Sequence, residues 1–461
     1  MGGSEMADRG TSEAARAATE ALAEAGVRAV ALAMVDNAGV TRVKCIPLRR
    51  LEEVTRLGVG LSYVFSVFLV DDQITSTPSL DGPSGDMRLI PDPEACVALD
   101  AQPGWAWAPV DQYDQDGNVW PACGRSFLRR MVDRLARLEI ELRCAFEVEW
   151  FLGRREEPDP VPSHRGPGYS AVVLTPYSGF AVDLIDALEA EGLGVQQFHP
   201  EYSIGQFEVS VAHRDAVGAA DENLLVRQTI RGVAARHGLD ASFAPVVFPG
   251  AVGNGAHLHF SLWDADRGDL LVGGAGPLGM TEQAEAFVAG VLAELPALSA
   301  VICPSEVSYL RLQPHRWAGA FTCWGPENRE AALRFITGMV GSRDAATNVE
   351  LKSIDAAGNP YLVVGSVIAA GLAGMDQGLR LPPPITEDPA GLPEEERAAK
   401  GIERLPASLG EAVERMEESA VLREAMGDLL FDSFLATRRA EHEASRDRKE
   451  EDLVRAHRWR Y

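Results

Sequence analysis

Apolar residues alternate with polar residues in four short segments of the chain. The segments cover residues 146–151, 201–209, 257–260 and 349–352. Successive side chains of a β-strand point to opposite faces, so every second residue shares a face. The positions that lie between the polar residues are Val148, Phe207, Leu258 and Leu351. We therefore expect four strands with one apolar, buried face and one polar face.

The polar face of these predicted strands carries five glutamates and two histidines. They are Glu147, Glu149, Glu201, Glu208, Glu350, His257 and His259. Clustered carboxylates that lose contact with water cost on the order of several kcal/mol each unless they are paired or bind a cation. Many oxygen ligands, few imidazoles and no nearby cysteine are typical of Mg²⁺ or Mn²⁺ rather than zinc. One Glu-x-Glu alone is more often a solvent-facing edge strand, but four such segments favour a site for two or three divalent ions.

The rest of the pattern divides the chain into three parts: 1–25, 26–115 and 120–461. Residues before 12 are predicted to be disordered, and an alanine-rich helix follows over 13–24. Short strands over 28–107 predict a small α+β unit, and the Pro/Gly/aromatic-rich stretch 102–124 is interpreted as a connector. A helix from Phe127, with Ser126 as N-cap, opens the larger domain. That domain is expected to have helices over 221–237 and 281–300 and a mostly helical end over 408–457.

Charge and composition limit the classes of partner. The chain has 461 residues and a formal net charge of −25, which argues against nucleic acid or an anionic membrane as a partner. No stretch of eighteen uncharged apolar residues and no N-terminal leader is recognisable, so we expect a cytoplasmic protein. The six cysteines show no CxxC spacing, which fits reduced thiols better than a disulfide framework or a zinc site.

Seven motifs, in order along about residues 28–461, resemble those of the glutamine synthetase superfamily. They are Ser84–Asp92, Glu147–Glu149, Gly205–Glu208, Gly253–Ser261, Ser308–Arg311, Asn328–Arg329 with Arg334, and Glu350 with Asn359–Tyr361. Each motif alone is weak evidence, whereas all seven in the same order are strong evidence. The resemblance implies an α+β fold with a small N-terminal β-grasp domain. It also implies a large C-terminal α/β catalytic domain with a twisted, carboxylate-lined barrel of strands.

The resemblance also implies an activity and an assembly. Family members make γ-glutamyl phosphate from glutamate and ATP, and an amine then displaces the phosphate. They form rings of six subunits that stack as dodecamers, with each active site between neighbouring subunits. The ligands that it implies for a first metal, beside glutamate, are Glu149, Glu201 and Glu208. The ligands that it implies for a second metal, on the ATP phosphates, are Glu147, His257 and Glu350.

Further site residues are implied by the same motifs. Arg329 and Arg334 match the catalytic arginines, and phosphoryl transfer needs such positive charge near the transferring oxygens. The positions that match nucleotide contacts are Arg334, His259 and Ser261. Arg311 matches the arginine that binds the α-carboxylate of glutamate, for which a planar guanidinium is suited. Gly253 matches a backbone contact to glutamate.

Both carboxylates that capture ammonium in glutamine synthetases are missing here. The stretch Gly58–Phe65 contains no aspartate, and Trp317 stands where a glutamate is expected. Ammonium must be stripped of water and deprotonated before it attacks, which needs a nearby carboxylate. A lining of Tyr63, Phe65 and Trp317 instead suits an amine with a carbon chain or ring. The sequence therefore predicts a glutamate–amine ligase whose acceptor is ethanolamine, a polyamine or another alkyl or aryl amine.

Three other positions depart from the family pattern near the acid substrate. Lys352 and Asn348 stand where arginines are expected, and Val252 replaces an asparagine. Lysine is a point charge rather than a planar fork, so the γ-carboxylate of glutamate would be held less tightly. The acid substrate is therefore expected to be glutamate, with room for a different acid.

Three other functions are compatible with the same scaffold. The first is glutamine synthetase activity with ammonium. The second is a non-catalytic assembly protein, against which the retained metal ligands argue, because clustered carboxylates without metal only destabilise a fold. The third is a metal-dependent hydrolase.

Overall fold

The computed structural model describes the backbone of residues 2–461 and the side chains of residues 12–461. The helix predicted over 13–24 is confirmed but begins at Gly2, so the prediction of a disordered start before residue 12 is wrong. The α-helices are α1 Gly2–Glu24, α2 Leu51–Leu57, α3 Gly124–Ala136, α4 Ala171–Leu174, α5 Ser178–Ala190, α6 Ala216–Arg236, α7 Glu282–Ile302, α8 Ser308–Arg311, α9 Arg343–Ala346, α10 Pro360–Gln377, α11 Glu394–Ala399, α12 Leu409–Glu417, α13 Ala420–Met426, α14 Asp428–Ser445 and α15 Glu450–His457. The strands are β1 Ala29–Val35, β2 Thr41–Pro47, β3 Val59–Ser62, β4 Asp86–Pro91, β5 Val97–Ala98, β6 Trp105–Tyr113, β7 Ile140–Arg154, β8 Val161–Pro162, β9 Val195–Pro200, β10 Gln206–Val211, β11 Arg214–Asp215, β12 Asp240–Ser242, β13 Leu258–Asp264, β14 Gly268–Asp269, β15 Phe321–Pro326, β16 Ala331–Ile336 and β17 Asn348–Leu351.

The first sheet lies in the N-terminal part of the chain, in the order β2-β1-β6-β4-β3, with β5 beside β6. Strand β6 pairs in parallel with β1 and antiparallel with β4, so it lies at the centre of the sheet. The interpretation of 102–124 as a connector is therefore wrong for β6. Prolines and small residues gave this stretch the composition of a loop, yet Ala106 and Ala108 are fully buried in the core of this sheet.

The second sheet positions the predicted polar segments. Its order is β15-β16-β17-β13-β7-β10-β9, and β7 is its longest strand. The first half of β7 pairs with β13 and the second half with β10. The four apolar positions that were expected to face the core are each at most 1% exposed. The predicted α+β fold class, with its carboxylate-bearing catalytic sheet, is confirmed.

One predicted strand is interrupted. Residues 201–209 do not form a single strand, because β9 ends at Pro200 and β10 begins at Gln206. Glu201 therefore lies in the turn between two antiparallel strands. His199 of β9 is directly opposite Glu208 of β10, and this pairing brings Glu201 close to Glu208.

Helices cover the outer face of the second sheet. Helices α6 and α7 and the helical C-terminal region, α12 to α15, confirm the predicted helices with small shifts at their ends. Helix α3 begins at Gly124 with Cys123 as its N-cap, so the prediction of Ser126 as N-cap is wrong by three residues. Helix α10 has no counterpart in the prediction; it packs closely on α7, where a Cβ on Gly290 would lie 2.3 Å from the Ala370 carbonyl oxygen.

Two helical stretches are apolar and long enough to cross a membrane by length and composition alone. They are Ala171–Ala190 and Glu282–Ile302. In the second, 83% of the apolar window is buried inside the protein, as expected for a core helix. The corresponding share in the first stretch is 33%.

A buried ion cluster around Arg125 of α3 joins the first sheet to helices α3, α6 and α10; Arg125 itself is 3% exposed. Its guanidinium donates to Asp92 and Asp111 of the N-terminal part at 2.8 and 2.7 Å. It also donates to Asp221 of α6, at 3.0 and 2.7 Å. The Tyr361 hydroxyl donates to Asp221 at 2.6 Å. We call these five residues the Arg125 cluster.

Candidate active site

The polar face of the second sheet opens into a cavity of about 800 Å³. Its walls carry all five predicted glutamates together with His257, His259 and four arginines. Within the sheet, Glu208 is directly opposite Glu149. The Gln206 side chain donates to the Glu149 carboxylate at 2.7 Å, so Gln206 and Glu208 share the polar face as expected.

A first group of possible metal ligands lies at the turn between β9 and β10. It consists of His199, Glu201 and Glu208, whose ligand atoms lie within 4.8 Å of one another. His199 Nε2 is 3.3 Å from Glu201 Oε1 and 3.6 Å from Glu208 Oε1. Glu149 lies next to this group and accepts the backbone N–H of Gly255 at 2.7 Å. The structure therefore brings two of the three predicted ligands of the first metal, Glu201 and Glu208, together with His199, and places Glu149 on the neighbouring strand opposite Glu208.

A second group lies on β7, β13 and β17. It consists of Glu147, His259 and Glu350, again with ligand atoms within 4.8 Å. His257, which the sequence predicts in this group, lies between the two groups: its Nδ1 is 3.0 Å from Glu147 and 3.3 Å from Glu350, and its Nε2 is 4.0 Å from Glu149. Both histidines therefore point into the same cavity as the carboxylates.

Charges within the cavity shift the pKa values of these groups in opposite directions. Burial raises the pKa of Glu208 to about 10, and the charges of Glu147 and Glu149 add to the effect. Burial also opposes ionisation of Glu350, but Lys352 and the nearby imidazoles hold its pKa at about 2. Burial opposes protonation of His259, but the Glu147 carboxylate, 3.3 Å from its Nε2, raises its pKa to about 9. Burial opposes ionisation of Glu201, but hydrogen bonds from His199 and Tyr169 hold its pKa below the usual value. Glu208 thus lacks the lysine and arginine contacts that Glu350 has among the described residues.

Arg311 lies between the two groups, at the floor of the cavity. It is 5% exposed, its Nη2 is 3.4 Å from His257 Nε2, and it donates to the Lys352 carbonyl at 3.3 Å. Its buried Nη1 has no hydrogen-bond partner among the described residues. Gly253 lies against it, since a Cβ there would be 2.9 Å from Arg311 Cγ. An arginine with a free donor at this place is suited to bind a carboxylate.

Arg329, Arg334 and Lys352 also line the cavity. Arg334 donates to Glu350 at 3.0 Å and to Glu327 at 2.8 Å. Lys352, which is 2% exposed, donates to the other oxygen of Glu350 at 2.9 Å. Arg329 is exposed and lines the cavity. Ser261 lies further along β13, outside the cavity wall, and its hydroxyl accepts from the Trp263 indole at 2.8 Å.

Aromatic side chains line the wall beside Glu201. Trp317 is 57% exposed and lies 6.0 Å from Tyr202, centroid to centroid. Tyr169 stacks on His199, and its hydroxyl donates to Glu201. Tyr63 lies outside this cavity in its own chain, where it stacks on Trp120.

Family descriptions match nearly the whole chain. The description "Glutamine synthetase N-terminal domain" matches residues 14–120, and "Glutamine synthetase, catalytic domain" matches residues 121–456. The chain belongs to the glutamine synthetase family. The cavity therefore lies within the part that matches the catalytic domain of that family.

Three relatives place the chain within the glutamine synthetase family. It is 50% identical to the γ-glutamylpolyamine synthetase GlnA3 of Streptomyces coelicolor, over 98% of this chain and 97% of that protein. It is 34% identical to the glutamine synthetase of Mycolicibacterium smegmatis, over 71% of this chain and 74% of that protein. Among solved structures, a GmaS/ADP complex has a TM-score of 0.80 and 27% identity, with 94% of this chain and 96% of that chain covered.

Several residues of this glutamine synthetase-like cavity were not predicted from the sequence. His199 precedes Glu201 by two residues, a spacing that would have placed both on one face of a strand. Tyr169 gave no such signal, because it lies in a loop more than thirty residues before Glu201 and reaches it only in the folded protein. Arg316 is a third case, and it donates to the carbonyls of Gly250 and Ala251.

Proposed function

We propose that this protein is an ATP-dependent ligase that joins the γ-carboxylate of glutamate to an organic primary amine, with a polyamine as the acceptor. The reaction would proceed through γ-glutamyl phosphate. The observation that carries the proposal is that the carboxylate and arginine groups expected for acyl-phosphate formation line one cavity, while Trp317 forms its wall where a glutamine synthetase is expected to have a glutamate. The 50% identity to a γ-glutamylpolyamine synthetase over almost the full length supports a polyamine.

The carboxylate groups fit divalent cations. Burial raises the pKa of Glu208 to about 10, and the charges of the neighbouring carboxylates add to this effect, because like charges so close together do not all ionise without added positive charge. Oxygen-rich ligand sets suit Mg²⁺ or Mn²⁺. The proposed ligands are Glu149, Glu201 and Glu208 for one ion and Glu147, His257 and Glu350 for the other, with two or three ions in all. When bound, such ions supply positive charge that neutralises phosphate oxygens.

Glutamate is proposed to bind at the floor of the cavity. The free Nη1 of Arg311 would donate to the α-carboxylate, and the Gly253 backbone would contact the substrate. Lys352 lies nearby but is bound to Glu350. It would therefore contribute its charge to the γ-carboxylate without a second hydrogen bond of the kind that arginine makes.

ATP is proposed to bind at the end of the cavity that carries Arg329 and Arg334. Arg334 is held between Glu350 and Glu327, which fixes the direction of its guanidinium. Arg329 is exposed at the cavity wall and is free to approach the transferring phosphoryl group. His259 would contact the nucleotide from β13; a contact with Ser261 stays a prediction, because its hydroxyl faces Trp263.

The acceptor amine is proposed to enter along Tyr202 and Trp317. An amine that carries a carbon chain gains free energy from contact with these rings, which ammonium cannot do. Its nitrogen must lose a proton before it attacks the acyl phosphate.

Assembly and location are proposed on the family resemblance. We propose a dodecamer of two hexameric rings in the cytoplasm, in which Tyr63 of one subunit would reach the acceptor side of a neighbouring site. Sedimentation of the purified protein would test the ring assembly. A monomer with full activity would contradict the proposed place of Tyr63.

Coupled ADP release tests the activity directly. With glutamate, ATP and Mg²⁺ or Mn²⁺, a panel of di- and polyamines should give ADP together with a γ-glutamyl amide of the expected mass. ATP binding measured by calorimetry should require the divalent ion. Equal ATP affinity in excess chelator, or ADP release without any amide, would exclude the ligase function.

A further inference from the structure

Helix α15 packs against two segments that carry the proposed contacts to glutamate. Val454 of this helix is fully buried in a small apolar cluster with Val246 and Val307. Val246 lies seven residues before Gly253, and Val307 directly precedes α8, the short helix that ends with Arg311. The two segments therefore share α15 as a packing partner.

Residues 245–254, which we call the 245–254 loop, form a closed loop of backbone. The Asn254 N–H donates to the Pro245 carbonyl at 2.9 Å and closes it. Gly253 lies at this closure, since a Cβ there would be 2.1 Å from the Pro245 oxygen, an approach that only glycine permits. None of these ten residues belongs to a helix or strand. The loop must therefore be held in place by contacts with other segments.

Arg458, which directly follows α15, connects this loop to two other parts of the chain. It is 3% exposed, and its Nε donates to the Val247 carbonyl at 2.9 Å. Its Nη1 donates to the Pro158 carbonyl at 3.1 Å and its Nη2 to Asp159 at 2.9 Å. The backbone carbonyl of Arg458 accepts from the Ser242 hydroxyl of β12. Because a guanidinium offers its donors in one rigid plane, these bonds fix the loop relative to β12.

Two further side chains hold the middle of the 245–254 loop. Glu450, in the first turn of α15, accepts the Gly250 N–H at 2.9 Å. Arg316, which lines the cavity, donates to the carbonyls of Gly250 and Ala251. The loop thus lies between α15 and an arginine of the cavity wall. A displacement of α15 would move the loop relative to the cavity.

We propose that Arg458 and Glu450 are positioning residues that hold the 245–254 loop, and with it Gly253, in the conformation that binds glutamate. The inference rests on the proposed function and gives a role to two side chains outside the described lining of the cavity. ATP is proposed to bind elsewhere, beside Arg334. Loss of either positioning residue should therefore raise the KM for glutamate with little change in the KM for ATP.

Glu450→Ala is the first test, because Glu450 is exposed and its removal should leave the fold intact. The KM for glutamate should rise about fivefold, the equivalent of one hydrogen bond, with little change in kcat. Glu450→Gln should restore the KM, since the amide oxygen still accepts from the Gly250 N–H. Glu451→Ala, an exposed neighbour on α15, is the matched control and should change neither constant. An unchanged KM for glutamate in Glu450→Ala would overturn the proposal.

Arg458→Lys tests the planar guanidinium. Lysine keeps the charge beside Asp159 but cannot reproduce the planar set of donors to both loops, so the KM for glutamate should rise about tenfold. Val413→Ala, which removes two methyl groups from a buried residue of α12, is the control for general destabilisation. It should lower the melting temperature without raising the KM. Equal rises in the KM for glutamate and for ATP in Arg458→Lys would show a general structural role and overturn the inference.

Calorimetry of glutamate binding separates this inference from the function on which it rests, because it needs no turnover. Glu450→Ala should weaken glutamate binding and leave ATP binding unchanged. If the unmodified protein shows this contrast with the variant but forms no γ-glutamyl amide, the proposed function is wrong and the positioning role stands. If it forms the amide and both variants bind glutamate as it does, the positioning role is wrong and the ligase function stands.

Discussion

Two regions of the molecule bury several carboxylates, and they balance the negative charge in opposite ways. In the Arg125 cluster, one guanidinium at the centre donates to three aspartates at distances of 2.7–3.0 Å. In the cavity, five glutamates converge, but Arg334 and Lys352 both bind the same one, Glu350. Each aspartate of the cluster is thus paired with a guanidinium of the chain, whereas Glu208 at the β9–β10 end of the cavity contacts no arginine or lysine among the described residues.

The pKa values follow this difference. Burial opposes ionisation of Asp92, but Arg125 and Arg129 hold its pKa below the usual value. Burial raises the pKa of Glu208 to about 10, and every nearby charge that contributes strongly is another carboxylate. Carboxylates that are paired with an arginine of the chain stabilise the contact between the first sheet and helices α3 and α6. Charge that is left in excess is available to bind an external cation.

Glu208→Ala should have the largest effect, because it removes a carboxylate from the cavity that is proposed to bind a cation. Removing one ligand of the first proposed metal should lower turnover by about a thousandfold or more, an effect of about 4 kcal/mol on the barrier. Mg²⁺ or Mn²⁺ should raise the melting temperature of the unmodified protein and have a smaller effect on the variant. The same treatment of Glu149→Ala should give the same pattern, and near-normal turnover in both variants would contradict the assignment of the metal site.

Arg125→Met should lower the stability of the protein, because it removes the arginine at the centre of the Arg125 cluster. Buried Asp221 would lose its arginine partner, while Asp92 and Asp111 would keep only Arg129. Breaking a buried ion pair in this way costs about 3–5 kcal/mol of stability. Urea unfolding should show this loss. Arg129→Met is the matched control, because Arg129 is half-exposed and also contacts Asp92; it should cost less than about 1 kcal/mol. A similar loss in both variants would show that the cluster is not the source of the stability.

Trp317→Glu should shift the cavity toward an ammonium-binding charge pattern. An added carboxylate in the acceptor wall should raise glutamine formation from ammonium and lower the use of organic amines, each by about tenfold, since one space cannot be both apolar and anionic. Product masses from a mixture of ammonium and diaminobutane would measure the change. Trp317→Gln has a similar size without the charge and should not raise ammonium use. Robust glutamine formation by the unmodified protein at millimolar ammonium would contradict the proposed acceptor.

Glu191 is a third kind of buried carboxylate, because hydrogen bonds hold it and no cation contacts it among the described residues. Its replacement should have the smallest effect of the four predictions. Its carboxylate accepts from Thr229 and from the Asp100 N–H, and burial raises its pKa to about 7. The folded state therefore binds a proton more tightly than the unfolded state, whose pKa is about 4.3. This contribution to stability is fully present below about pH 4 and is lost as the pH rises through 7. Glu191→Gln should flatten this part of the curve of stability against pH, and the exposed Glu424→Gln should not.

Alternation along the strands predicted the polar face before any coordinates were known. Glu147 and Glu149 lie on β7 as expected, and Val148 between them is 1% exposed. The helix that begins after Thr281 was predicted within two residues of each end, because its capping residue and its apolar run are local signals. Strand β6 and helix α10 were missed, since small residues and prolines in them carry no clear period.

Pairing partners had to come from the tertiary structure. Glu201 was predicted within a strand but lies in a turn, and it reaches Glu208 because β9 and β10 are antiparallel neighbours. His199 and Tyr169 both contact Glu201. The spacing of His199 from Glu201 is a local signal, whereas Tyr169 reaches Glu201 only in the folded protein. Glu330 likewise lies beside Trp317 because its side chain accepts the Trp317 backbone N–H, a contact between two segments that are separate in sequence.

The sequence by itself determined the fold class, the polar face of the catalytic sheet and the absence of the expected glutamate at Trp317. These properties depend on the type of residue at each position and on short periods, which are local. Only the tertiary structure decided which carboxylates are neutralised by arginine and which are left in excess. Electrostatic free energy depends on distances between groups far apart in the chain and on their burial, and folding alone sets both quantities.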